Sequence, residues 1–153
     1  MGYSLSATSL SRLNGVHPNL VKVVKRAIEV TNQDFIVQEG LRTLATQKQY
    51  LAKGVTKTLN SKHLKQSDGF GHAVDLVPLV NGKPLWEWTL IWEIAVAMDV
   101  AAAELDVELT WGAVWDRKLS QYGGTVAKLK QEVEAYKKRH PGPDFLDGVH
   151  WQI

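Results

Sequence analysis

The 153-residue chain has no cysteine. This excludes a disulfide scaffold, cysteine-ligated zinc fingers and thiol catalysis, and leaves His, Asp and Glu to hold any metal. Long apolar runs are missing as well. The longest candidate, Ile91 to Val100, is interrupted by Glu93 and Asp99. It falls short of the roughly 20 residues that span a bilayer, so no stable membrane association is expected. The opening Met1-Gly2-Tyr3-Ser4-Leu5-Ser6 lacks the basic and apolar segments of an export signal, which predicts synthesis and folding in the cytoplasm. An excess of one charge is missing too. Eighteen Lys and Arg against sixteen Asp and Glu give a net charge of +2. The cations are scattered, so the electrostatic footprint of a nucleic-acid partner is absent. The run Lys137-Lys138-Arg139 suits the end of a helix, where cations complement the dipole.

What is present is an ordinary globular balance, 44% hydrophobic and 22% charged, in a chain long enough for one compact core. No repeat or linker divides it, and a single domain over 1–153 is expected. Apolar spacing predicts helices from about Pro18 to Thr31, from a Thr43 cap to Lys53, from Leu90 to Glu104, and from Thr125 to His140, the last stopped by Pro141-Gly142-Pro143. Strands are expected at Phe35–Glu39, His72–Val80, Val107–Trp111 and Val149–Ile153, with a turn at Asn81-Gly82. Val55 to Gly71 is polar and reads as a long loop, and Gly112 to Gly124 as irregular. About four helices and four short strands without βαβ alternation predict an α+β fold, a small and mostly antiparallel sheet packed with helices. Of the six tryptophans, Trp86, Trp88 and Trp92 are expected in the core, while Trp111, Trp115 and Trp151 are candidates for lining a cleft.

Two histidines and two carboxylates carry the chemistry. In a strand Asp75 shares its face with Ala73 and Val77, and a carboxylate there is costly unless it is charge-paired, metal-bound or at a solvated edge. His63 lies in the polar loop before that strand and His150 in the terminal one. Two His and one Asp form a three-ligand set that leaves a metal position open for water. Asp147, three residues before His150, is placed to serve as a base, or else is a turn residue before Gly148. His72 is a rival to His63, although its strand direction turns it away from Asp75. Arg42 has Glu39 within reach as an ion-pair partner.

Ser61-Lys62-His63 followed by Gly71-His72-Ala73-Val74-Asp75 resembles the Ser-x-His … Gly-x-Ala-x-Asp signature of the LAS zinc peptidases. This group includes VanY-type D-alanyl-D-alanine carboxypeptidases and phage L-alanyl-D-glutamate endopeptidases. The phage branch is further matched by Gly15-Val16-His17-Pro18, by Gln38-Glu39-Gly40-Leu41-Arg42-Thr43, by Gln47 and by Asp147-Gly148-Val149-His150-Trp151. The resemblance implies a hedgehog/D-Ala-D-Ala-peptidase-like fold. It implies one Zn2+ held by His63, Asp75 and His150, with Asp147 activating water and Arg42 steadying substrate or oxyanion. Ser61 would be a supporting or substrate contact, and Gln47 matches a recurrent glutamine of the family. It implies a monomeric phage endolysin with peptidoglycan as its partner, without a separate wall-binding domain. Such a protein is released from the host cytoplasm through a membrane pore to cleave the L-alanyl-D-glutamate bond of the wall. The alternatives are a D-alanyl-D-alanine carboxypeptidase or dipeptidase of the same fold, or a non-catalytic zinc or wall-binding module. Two departures stand out. His63 and Asp75 are twelve positions apart, more than the family pattern, because Lys65 to Phe70 lengthens the loop. In addition, Trp111-Gly112-Ala113-Val114-Trp115 replaces a Trp-Gly-Gly-Asp-Trp-like run.

Overall fold

The computed structural model describes residues 2–56, 60–142 and 146–153. The helix stop assigned to Pro143 and part of the Val55–Gly71 loop lie outside the described residues. Among those described there are five α-helices: α1 Ala7–Arg12, α2 Pro18–Val30, α3 Leu44–Ala52, α4 Trp88–Leu105 and α5 Val126–Arg139. Five strands accompany them: β1 Phe35–Glu39, β2 Ala73–Val80, β3 Lys83–Pro84, β4 Thr110–Trp111 and β5 His150–Gln152. The sheet runs β1-β2-β5-β4, with β3 hairpinned onto β2 and every pair antiparallel.

The helices form where expected for local reasons. α2 starts at Pro18, whose missing N–H costs nothing in a first turn, and His17 Nδ1 accepts from the Asn19 N–H at 3.1 Å. Its buried stripe is Leu20, Val23, Val24, Ala27 and Ile28. α4 packs on α2, α5 and β2 through Ile91, Ile94, Ala95, Met98 and Ala102. It ends at Asp106 in a left-handed conformation, φ 54°.

α1 was not expected. It is a six-residue, largely exposed helix whose only buried side chain is Ser9, so it has no apolar periodicity to reveal it. Its task is polar. Ser9 Oγ accepts from the Val37 N–H at 3.0 Å, and Arg12 donates to the Val37 carbonyl at 3.1 Å. Side chains thereby satisfy β1, an edge strand that would otherwise present open donors and acceptors.

The sheet has two unlike faces. Val74 lies opposite Trp151, Leu76 opposite Val37, and Trp111 opposite Trp151; these side chains enter the core. The alternate positions set Asp75 opposite His150 on one side and Glu39 on the other. A bulge makes the second pairing. Val37 faces Leu76, but Glu39 rather than Gln38 faces Asp75. One extra residue therefore turns Glu39 onto the polar face.

The tryptophan expectations need correction. Trp111 and Trp151 are fully buried and stacked in the core, with ring centroids 5.3 Å apart. Trp86 and Trp88 are exposed, and Trp92 is only partly buried against the core. Of the three expected near a cleft, Trp115 alone lines it. Burial of large aromatics follows strand parity here: Trp151 points opposite to its neighbour His150.

Candidate metal centre and cleft

β1, β2, β5 and the loop before β2 enclose a cleft of about 570 Å³. Three ligand-type atoms converge in it. His63 Nε2 and His150 Nδ1 each lie 3.3 Å from Asp75 Oδ1, and the three atoms fall within 4.8 Å of one another. His63 and His150 are buried. Neither 3.3 Å approach has hydrogen-bond geometry, and Asp75 Oδ1 is buried without a hydrogen-bond partner. A native fold seldom leaves such an oxygen unsatisfied. The group could hold a metal ion.

Both imidazoles are fixed in the required tautomer from behind. His63 Nδ1 donates to the Gly40 carbonyl at 2.8 Å, which leaves Nε2 as the lone-pair nitrogen facing Asp75. His150 Nε2 faces Gln152 Oε1 at 2.9 Å; the amide oxygen accepts, and Nδ1 is left toward Asp75. Such outer partners orient metal-binding histidines. Gln152 was not singled out in the sequence. The signal was available, since residue i+2 of a strand shares the face of residue i.

Backbone stitching sets His63. Arg42 N–H donates to the His63 carbonyl at 2.8 Å, and His72 N–H to the Lys62 carbonyl at 2.7 Å. The long spacing to Asp75 is absorbed by a loop that closes on itself. Gln66 N–H meets the Phe70 carbonyl at 2.8 Å, Gly69 N–H meets the Gln66 carbonyl at 2.9 Å, and Gly69 takes φ +88°. His72 turns away to Asp68, Nε2 to Oδ2 2.7 Å, and is not in the convergent group.

Asp147 reaches the cleft through a tight turn, with His150 N–H on the Asp147 carbonyl at 3.1 Å. Gly112 makes room for that turn. It accepts from Asp147 N–H at 2.8 Å and donates to the His150 carbonyl at 2.9 Å. A Cβ on Gly112 would fall 2.2 Å from the Asp147 carbonyl oxygen. Gly112→Ala is therefore expected to cost about 1–3 kcal/mol from overpacking and to shift Asp147 out of place. Thermal melts should record the first effect, and activity per folded molecule should fall further than the melts alone explain.

Arg42 is already engaged. Its Nε and Nη2 donate to Glu39 in a close ion pair, and Nη1 donates to Gln47 Oε1 at 2.6 Å and to Ser61 Oγ at 3.5 Å. Tyr50 lies under the guanidinium at 4.7 Å and donates to Glu39 Oε2 at 3.0 Å. Gln47 is fully buried and Ser61 Oγ also accepts the His63 N–H at 3.1 Å. The Glu39 pairing raised as an alternative for Arg42 is thus present. Four of the five guanidinium N–H groups are used in this network, and among the described residues the second N–H of Nη2 has no acceptor.

The electrostatics follow from this crowding. Burial opposes ionisation of Asp75, but in the metal-free fold His150 and His63, when a second ring proton makes them cationic donors toward it, outweigh burial and hold the carboxyl well below the usual range. Burial pushes Asp147 up, and the charge of Asp75 adds to the shift. For His150, burial favours the neutral ring, yet Asp75 prevails and raises its pKa.

Three comparisons bear on this arrangement. The family model of phage L-alanyl-D-glutamate peptidases matches residues 1–130. That span includes His63 and Asp75 and stops before Asp147 and His150, which join the cleft by geometry. The L-alanyl-D-glutamate peptidase of Escherichia phage T5 is 33% identical over 120 residues, 76% of this chain and 84% of that protein. The crystal structure of a Serratia marcescens L-Ala D-Glu endopeptidase is similar with a TM-score of 0.70 and 33% identity, covering 96% of this chain and 86% of that one. Fold, sequence and the matched family model agree: the chain belongs to the phage L-alanyl-D-glutamate peptidase family.

Proposed function

We propose that the chain is a zinc peptidase that cleaves the L-alanyl-D-glutamate bond of peptidoglycan stem peptides. The observation that carries this reading is the orphaned, buried Asp75 Oδ1 set 3.3 Å from two imidazole nitrogens. A tetrahedral ion with bonds of about 2.0–2.1 Å has ligand-to-ligand edges of about 3.3–3.4 Å; the two approaches to Asp75 Oδ1 match that spacing, and two imidazoles with one carboxylate suit zinc in kind. Bound there, zinc would supply Lewis acidity to the scissile carbonyl and make water a nucleophile near neutral pH.

The chain's own groups do the rest. Asp147 takes a proton from the attacking water as the new C–O bond forms. It returns that proton to the departing amine nitrogen as the C–N bond breaks. Its raised pKa makes it a stronger base than an ordinary Asp. The remaining Nη2 N–H of Arg42 is available to the substrate carbonyl, while Glu39, Gln47 and Ser61 hold the guanidinium in place. On this reading the chain is the catalytic domain of an endolysin and acts as a monomer. It is made in the host cytoplasm and acts on the wall after release through a membrane pore. Among the described residues no helix is long and apolar enough to cross a membrane.

The test is digestion of purified peptidoglycan with and without a chelator, followed by mass spectrometry of the new termini. New N-terminal D-glutamate that disappears with chelator supports the proposal. Released D-alanine would assign carboxypeptidase activity instead, and zinc binding without cleavage would leave a non-catalytic module.

Proton linkage gives a further expectation. His150 and Asp147 both have raised pKa values in the metal-free fold. Each therefore contributes stability that is present below its unfolded pKa and is lost as pH rises through its folded one. Zinc acts in the opposite sense, because its imidazole ligands must be neutral. Between pH 6 and 8 the melting temperature of the metal-free protein should fall, while the increment from added zinc should grow. An increment that shrinks with pH would contradict a His-ligated site.

A further inference from the structure

We propose that Lys62 selects the substrate by binding the free carboxylate of the glutamate on the leaving side of the scissile bond. This inference rests on the peptidase reading above and names what that site recognises. Among the described residues two permanent cations line the cleft, Arg42 and Lys62. Arg42 is neutralised by Glu39 and held by Gln47 and Ser61, so it is poorly placed to receive a second full negative charge. Lys62 is exposed, and among the described residues no carboxylate pairs with it. Its backbone is nevertheless fixed: the Lys62 carbonyl accepts from His72 N–H at 2.7 Å, and the flanking Ser61 Oγ accepts from His63 N–H at 3.1 Å. The ammonium thus swings from an anchored Cα immediately beside His63.

The substrate supplies the matching charge. A glutamate within a peptide has two carboxyl groups. The chain continues through one, and the other stays free, a few bonds from the nitrogen that departs. That carboxylate is presented to the cleft next to the reacting centre. An ammonium is a mobile point charge, which can follow the carboxylate without strict geometry. Amidation of the same carboxyl removes the charge while keeping its shape.

The experiment pairs two synthetic stem peptides, one with the free glutamate carboxylate and one with its amide, with wild-type protein, Lys62→Gln and Lys62→Arg. Wild type should prefer the carboxylate peptide by about tenfold, the order expected for a charged hydrogen bond. The preference should appear in KM rather than kcat, as uniform binding requires. In Lys62→Gln it should collapse to near one, and in Lys62→Arg it should be largely restored. Titrating both peptides into zinc-loaded Asp147→Asn protein reads the same preference without turnover. Absence of cleavage with the binding preference intact would overturn the peptidase reading and keep the Lys62 assignment. Equal loss on both peptides in Lys62→Gln, or no preference in wild type by either measurement, would overturn the assignment.

Discussion

Replacing Asp147 with Asn is expected to lower kcat by about 10²–10⁴-fold, the range typical of losing a general acid–base group, with bound metal retained. Asp147 lines the cleft but is not one of the three convergent donors, so the substitution deletes no ligand. Asn is nearly isosteric, and the turn that positions residue 147 is made by backbone bonds to Gly112 and His150, which the change leaves alone. What disappears is the ability to accept a proton. Stability should not suffer, because ionised Asp147 is disfavoured by burial and by the charge of Asp75; removing that charge relieves a cost. Melting, zinc stoichiometry and kcat measured on one preparation check all three points. If the variant loses zinc together with activity, Asp147 is a ligand and its role as base is wrong.

The second large effect separates two neighbouring histidines. His63→Ala is expected to weaken zinc binding by more than the roughly 10–100-fold that loss of a supporting partner brings, and to abolish activity. His72→Ala should leave stoichiometry at one ion and activity close to wild type. The reason lies in where each ring is held. His63 is buried, with Nδ1 on the Gly40 carbonyl and Nε2 facing Asp75. His72 points into the inserted loop, toward Asp68 and the ring of His17. An exposed contact of that kind contributes about 1 kcal/mol or less. Zinc measured by competition with a chromophoric chelator distinguishes the two variants, and retained zinc in His63→Ala would contradict the assignment.

Much of this site was legible in the sequence because its members lie on elements with simple periods. Strand parity alone puts Asp75 on a face apart from Val74 and Leu76, and the three-residue step from Asp147 to His150 is a turn's length. The supporting network was less visible, because it depends on events that leave no periodic trace. Glu39 reaches the polar face only through the bulge at Gln38. Gln152 matters through register, as the residue two beyond His150. α1 contributes two polar side chains to the edge of β1 and almost nothing to the core, so hydrophobic patterning passed over it. The tryptophans failed for the opposite reason. Composition marks them as notable, but only pairing decides that Trp111 and Trp151 stack inside while Trp115 stands beside His150, ring centroids 5.2 Å apart.

The central claim is that His63, Asp75 and His150 hold the ion on which the chemistry depends. X-ray diffraction from zinc-loaded crystals at the zinc absorption edge tests it most directly. The account predicts one anomalous peak about 2.0–2.2 Å from His63 Nε2, His150 Nδ1 and an Asp75 carboxylate oxygen. A peak at His72 and Asp68, or no peak between the three predicted donors, would contradict it.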